Sequence, residues 1–571
     1  MKYTTLYVFK NLIKFKILNQ FSSAHRSAFF IFFAFYHFIG IASGQETGLS
    51  TLSIISTGDS TQTSSANNIN DSADYDKVKS IYDKLVSARG DYRFPIPTVF
   101  LRSEVSRVAS IDYDKLEIVL EQKAFQACKP FGDAAIAFLL GHELTHYYEK
   151  HAWKSGFATE YKDLKVGREM KSVNDQVANE TQADYLGGFL AYSAGYGMFD
   201  KGGEIIKAMY SSYGLGNQLP GYPSLQDRVE LAKRSSAKIE SLIDVFEMAN
   251  FLSAIGRYAE ANEYYKYILI QYQSREIYNN LGVTSVMNAL QHLDEKELKY
   301  KYVVELDLSS HGSRDASSAA KADNLLREAV KYFDSAISLD PNYAPAYLNK
   351  ATAYALLGDN VRAKFYAEKE ATEIGIKGNF SKTVIDASIL KGILLAKEGN
   401  TKDAKTIFES AASKGSELAK ENLNILTNGS TTVKSPSRTQ TPQDTINKMT
   451  LVSFARKPQF LQDKVVQINQ NLTFFQYQID SLNFKIFYNM NNEDRLINYF
   501  MLTKTGKDIK TSKRIGIGDT LDDIIKIYGQ AYNRIETPQG LIMIYDNLFF
   551  VLGADNKVVK WGNFMSKKSL F

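Results

Sequence analysis

The chain has 571 residues, too many for one hydrophobic core, and its 44% apolar and 23% charged composition is ordinary for a folded soluble protein of several domains. The net charge of +5 comes from Lys2, Lys10, Lys14, Lys16 and Arg26, in a first stretch of 44 residues without an acid; the remainder is neutral, so nothing argues for nucleic acid or an anionic membrane as partner. A single cysteine, Cys128, excludes an intrachain disulfide.

Residues 1–44 read as an export signal: a basic stretch, an apolar-dominated run from Ala28 to Ala42, and the small-x-small site Ala42-Ser43-Gly44. The run is short for a membrane span, which needs about 20 residues. An exported protein of a bacterial periplasm or envelope is therefore expected, with an uncleaved N-terminal membrane anchor as the alternative. Residues 45–72 are polar and small and read as a flexible leader.

A folded domain is expected over 73–240. An amphipathic helix starts near Tyr75, and Ile96–Arg102 and Arg107–Asp112 have strand composition. The stretch 114–125, DKLEIVLEQKAF, reads equally as strand or helix. Helices follow, and the first carries the chain's chemistry. Three of only seven histidines, His142, His146 and His151, lie within ten positions, and His142-Glu143-Leu144-Thr145-His146 is H-E-x-x-H. A helix starting at Asp133 puts His142 and His146 one turn apart on one side, where two imidazoles can bind one Zn²⁺. Glu143 then lies beside the open coordination position and can take a proton from water and pass it to a leaving amine. The alternative, two surface histidines, is disfavoured by the apolar AAIAFLL before them, since buried histidines need partners.

A catalytic zinc site needs a third protein ligand from elsewhere, because three ligands along one helix face cannot surround an ion. A metzincin would carry glycine at 149 and histidine at 152; these are Glu149 and Ala152, which rejects that class. The helix VNDQVANETQADYLGGFLAYSAGY offers Glu180 and Asp184, four apart on one side. Glu180 can complete a two-His, one-Glu site, and Asp184 can accept the N–H of a ligand imidazole and fix its tautomer. Two solvated carboxylates are the alternative, against which the apolar flank argues.

H-E-x-x-H-x-x-x-x-H (HELTHYYEKH), then E-x-x-A-D (ETQAD), then P-S-x-x-x-R within YPSLQDRVELA, resembles peptidase family M forty-eight, the zinc metallopeptidases related to HtpX and the prenyl-protein proteases. The resemblance covers about residues 75–240. It implies an α+β, mainly helical zincin-like domain, one zinc held by His142, His146 and Glu180, Glu143 as general base, and Arg228 as the family arginine. Where the family usually has histidine before the proline, this chain has Tyr222, whose hydroxyl can still donate to a developing oxyanion. His151 is expected to pack or hydrogen-bond.

Over 241–426 the sequence repeats. Ala249, Gly256, Tyr258, Ala261 and Tyr265 recur in spacing as Ala351, Gly358 and Ala363, and again as Gly392, Gly399, Ala404, Phe408 and Ala411. From Ala329 to Ala363 is 34 residues. This resembles the tetratricopeptide repeat, a helix–turn–helix unit that buries its apolar face only by stacking, leaving a surface for a protein partner. The stretch 304–323 interrupts the pattern and reads as an exposed loop. Residues 427–448 read as a linker, and 449–571, rich in β-branched and aromatic residues, as a small α+β domain of unknown role. Within it Asp519 or Thr520 caps a short helix that Gly529 ends.

An exported leader, a zinc-peptidase domain and repeats together resemble the periplasmic proteases that also act as chaperones. The expectation is a zinc-dependent metalloendopeptidase acting on protein substrates, among them unfolded envelope proteins. The alternative is a peptide-binding scaffold or chaperone whose zinc site is latent or structural.

Overall fold

The computed structural model describes residue 69 and residues 72–566, apart from 104–107, 167, 169–175, 198–199, 219–223, 294–297, 304–315, 430–443, 447–462, 480–483, 492–495, 504–508, 532, 538–539 and 554. The expected signal, nearly all of the leader and most of the linker lie outside these residues. The described part is mostly helical, with tetratricopeptide-type repeats in its middle and a β-sheet domain after them. None of its helices is long and apolar enough to cross a membrane.

Helix α1 (Ala73–Arg89) begins where the Ser72 hydroxyl accepts the N–H of Tyr75, and stops at Gly90, whose φ of 57° is the left-handed conformation that lacks a Cβ penalty in glycine. Strands β1 (Thr98–Arg102), β2 (Ala109–Asp112) and β3 (Glu117–Glu121) form a sheet of order β1-β3-β2, with β1 parallel and β2 antiparallel to β3. The ambiguous stretch 114–125 is both things in turn. Its β-favouring Ile118-Val119 lies in β3, and the helix formers Gln122, Lys123 and Ala124 open α2 (Gln122–Cys128).

Helix α3 (Asp133–Tyr148) starts at the expected residue and is buried on all sides from Ala135 to His146. After α4 (His151–Glu160), α5 (Gln176–Ala191) crosses α3 with backbone against backbone. A Cβ on Gly141 would lie 2.7 Å from the carbonyl oxygen of Gly187, and one on Gly187 would lie 2.6 Å from the backbone nitrogen of His142. Helix α6 (Gly202–Tyr213) then leads to α7 (Leu225–Ala254), a continuous 30-residue helix capped by Ser224. The boundary read at 240/241 falls inside α7, which therefore serves both the first domain and the repeats.

The repeat helices run α7, α8 (Tyr258–Gln271), α9 (Arg275–Leu290), α10 (Ala316–Leu339), α11 (Ala344–Leu356), α12 (Asn360–Phe365), α13 (Thr372–Lys377), α14 (Ser381–Lys397), α15 (Thr401–Ser413) and α16 (Glu417–Asn428). A π-helical turn, Tyr366–Ala371, joins α12 to α13. Glycine on one helix faces phenylalanine on the next: a Cβ at Gly282 would meet the Phe333 ring at 2.3 Å, and one at Gly392 would meet Phe408 at 2.6 Å. Those contacts make α9 and α10 one unit, joined across an insertion. The segment 304–323, read as an exposed loop, is helical from Ala316, because α10 extends N-terminally to pack on α9.

The chain ends in an antiparallel sheet of order β4-β5-β6-β7-β11-β10-β9-β8. Its strands are β4 (Lys464–Asn469), β5 (Leu472–Ile479), β6 (Phe484–Asn491), β7 (Leu496–Thr503), β8 (Asn533–Thr537), β9 (Gly540–Ile544), β10 (Leu548–Gly553) and β11 (Val558–Ser566). Strand side chains alternate between two faces. Phe474, Phe487, Phe500, Phe549 and Phe564 join the core that α1, α3, α5, α7 and α8 share. Tyr488, Tyr499, Phe550 and Trp561 form a second core on the other face with α17 (Leu521–Tyr528), which is capped by Thr520, one of the two expected candidates, and ends at Gly529. The last residues of the stretch read as linker belong here too: Ile446 is fully buried in that second core, and Asp444 accepts the backbone N–H of Ser512 at 2.7 Å.

Candidate metal centre

Helical periodicity sets His142 and His146 on one side of α3, and the glycine crossing brings α5 close enough for its carboxylates to reach them. The two Nε2 atoms are 3.0 Å apart. Glu180 Oε2 lies 3.4 Å from His142 Nε2, and Glu180 Oε1 lies 3.6 Å from His146 Nε2. Asp184 Oδ1 accepts from Nδ1 of His142 at 2.8 Å. Both histidines are 2% exposed and Glu143 is fully buried, whereas Glu180 and Asp184 keep about a fifth of their side-chain surface.

The donor set fits a zinc ion. Ligand atoms ~2.0–2.2 Å from a tetrahedral zinc lie ~3.3–3.6 Å from one another, against the 3.0, 3.4 and 3.6 Å found here. The carboxylate of Asp184 has no proton to give, so His142 donates from Nδ1 and turns the lone pair of Nε2 inward. A second imidazole nitrogen at 3.0 Å and a carboxylate then call for a cation between them, either a proton or a metal. The electrostatics agree. Burial lowers the proton affinity of His142, but its contacts with Asp184 and Glu180 outweigh this and hold it well above the usual imidazole value. Burial, then the charge on His142, pushes His146 down to about 3.

The other predicted residues fall differently. Among the described residues, Arg228 on α7 reaches Tyr210 of α6, with Nη1 3.3 Å from its hydroxyl and the guanidinium 5.6 Å from its ring centre. That contact is where the described structure places the arginine that the motif singles out. Tyr222 lies outside the described residues. His151 hydrogen-bonds as expected, its Nδ1 being 2.9 Å from Nδ1 of His146. Sequence reasoning missed the Gly141–Gly187 crossing and Gln182, which touches His151. The LGG of α5 was a signal for close packing, without naming its partner.

Comparison with known proteins bears on the repeats. A tetratricopeptide-repeat model matches residues 332–365, from the middle of α10 to the end of α12. Tetratricopeptide repeat protein 36 of Bos taurus is 31% identical over 146 residues, which is 26% of this chain and 74% of that protein. The chain belongs to the tetratricopeptide-repeat family. The Danio rerio and Xenopus tropicalis proteins of the same name are each 34% identical, over 126 and 114 residues. Those matches cover 22% and 20% of this tetratricopeptide-repeat protein, and it spans 62% and 54% of their lengths.

Proposed function

We propose that this tetratricopeptide-repeat protein is a zinc-dependent endopeptidase that cleaves protein substrates held by its repeats. One observation carries the reading: three potential ligands from two helices converge to 3.0–3.6 Å of one another, beside the buried glutamate of H-E-x-x-H. The likeness of 75–240 to family M forty-eight supports it. His142, His146 and Glu180 would hold the ion, and Asp184 would orient His142. Bound there, zinc supplies Lewis-acid polarisation of the scissile carbonyl and makes water acidic near neutral pH. Glu143 takes a proton from the attacking water and delivers it to the amine nitrogen as the C–N bond breaks. Export to a bacterial envelope belongs to this reading through residues 1–44, and N-terminal sequencing of the protein from cells tests it.

Purified protein should contain one zinc per chain. Glu143→Gln should retain that zinc and lose cleavage of an unfolded protein substrate by at least ~100-fold. Equal cleavage by the variant would refute the assignment.

A second reading is favoured by the comparisons, whose family match falls in the repeats. On this reading the chain is a protein-binding scaffold or chaperone, and the histidine cluster has a structural or latent role. The discriminating variant is His146→Ala, which should lose metal. Retained rescue of a deletion strain by this variant supports the scaffold, and loss of rescue by a variant that keeps the wild-type circular dichroism spectrum and melting temperature supports the peptidase.

A further inference from the structure

His146 uses its two ring nitrogens differently. Nε2 faces His142 and Glu180, while Nδ1 meets Nδ1 of His151 at 2.9 Å. His151, 3% exposed at the start of α4, reaches Oε1 of Gln182 with its Nε2 at 3.2 Å. The amide nitrogen of Gln182 lies 3.5 Å from Oε2 of Glu149, whose other oxygen is 3.4 Å from Nη2 of Arg89.

With His151 neutral, one assignment of protons satisfies this chain. The carboxylate of Glu149 can only accept, so the NH₂ of Gln182 faces it and the amide oxygen faces His151. That oxygen also can only accept, so His151 donates from Nε2. A neutral His151 then has a bare Nδ1, which accepts the Nδ1–H of His146. Nε2 of His146 is left with its lone pair pointing at Glu180 and His142. The proton positions of His146 are thus set from Glu149 inward, one donor and one acceptor per link.

We propose that His151 is a positioning residue for the metal centre, fixing the tautomer of His146 as Asp184 fixes that of His142. The proposal rests on the zinc reading above. It adds that the two ligand histidines are held by unlike partners, one a carboxylate and the other a neutral imidazole backed by an amide. His151 touches neither ion nor substrate in this role.

The test is zinc affinity of the full-length protein by chelator competition, for wild type, His151→Phe and His151→Asn. His151→Phe keeps a ring of similar shape but no acceptor, and should lose about 10–100-fold in affinity, as removal of such outer partners does. His151→Asn carries an oxygen near the position of Nδ1 and should recover most of that loss. Wild-type affinity in His151→Phe, or an Asn variant no better than Phe, overturns the proposal. Should His151→Phe fail to fold, Gln182→Met at the partly exposed next link makes the same comparison. A second measurement needs no metal: ¹⁵N-edited NMR of the metal-free protein should show His151 as the Nε2–H tautomer. The Nδ1–H form overturns the positioning role. A wild-type protein that binds no zinc while His151 is Nε2–H instead refutes the metal reading and leaves the hydrogen-bond order standing.

Discussion

At the scale of single residues, the centre depends on where a few protons sit. Asp184 contributes both a hydrogen-bond acceptor and a negative charge to His142. Asp184→Ala removes both and should weaken zinc binding by about 10–100-fold, whereas Asp184→Asn keeps an acceptor and should fall between that variant and wild type. Competition with a chromogenic chelator orders the three, and an Asn variant as weak as Ala would assign the whole effect to charge. The spacing of His142 and His146 was legible because helical periodicity alone puts residues four apart on one side. Glu180 and Asp184 were legible because an apolar helix with two carboxylates on one side must bring them to something. The target of Arg228 was not. A long flexible side chain takes its partner from whichever helix packs beside it, here Tyr210 on α6, and a motif does not record that choice.

At the scale of elements, the crossing of α3 and α5 does the positioning. Gly187→Ala favours the helix by up to ~1 kcal/mol through propensity, yet its Cβ would lie 2.6 Å from the His142 nitrogen and 2.7 Å from the Gly141 carbonyl carbon. Backbone cannot step aside as a side chain can, so the collision should cost about 1–3 kcal/mol and prevail. Separating the helices also draws Glu180 and Asp184 away from the histidines, so zinc affinity should fall along with the melting temperature. Gly188→Ala is the control. Its Cβ would press on the tip of the Ile239 side chain, at 2.4 Å, which can repack, and touch Phe138 at an ordinary 3.7 Å; this variant should bind zinc as wild type does. Calorimetry and metal titration on the pair check this. Close approach of two glycines is a property of a pair of helices, which explains why neither glycine could be interpreted from its own surroundings. The same reason hid α9. It pairs with α10 through Gly282 and Phe333, but an insertion separates the two helices and breaks the 34-residue rhythm on which repeat reading depends.

At the scale of the whole molecule, the terminal sheet is seated on the first repeat by aromatic packing and a charged seam. Phe251 of α7 lies 4.9 Å from Phe549 and 5.6 Å from Phe500, ring centre to ring centre. Beside them Lys485 is 3.0 Å from Glu240 and 3.2 Å from Asp244, Lys464 is 2.6 Å from Glu240, and Lys560 is 2.8 Å from Glu247. Burial raises Asp244 from 3.8 to about 6 despite those lysines. Between the unfolded and folded values the native state holds the proton more firmly, so this group's contribution to stability falls as pH rises from about 4 to 6. The shift corresponds to about 3 kcal/mol at neutral pH. Asp244→Asn should therefore be more stable than wild type by about 1–3 kcal/mol at pH 7 in urea denaturation, with the difference closing by pH 3.5. A variant less stable at pH 7 would mean that the lysines more than offset the burial of the carboxylate. The strand composition after residue 449 foretold a sheet, but alternating apolar faces show that a strand is covered without showing what covers it.

That seating has a consequence for how the chain is made. Phe251 emerges from the ribosome early, and the strands that cover it follow only after every remaining repeat has been synthesised. Until then the nascent chain carries an open aromatic face on α7, closed at last by pairing across nearly half its length. Such distant closure is slow and invites association with other unfinished chains. A holding factor at the tunnel exit, or a pause in translation before the repeats are complete, would therefore change the yield of this protein more than any local helix propensity.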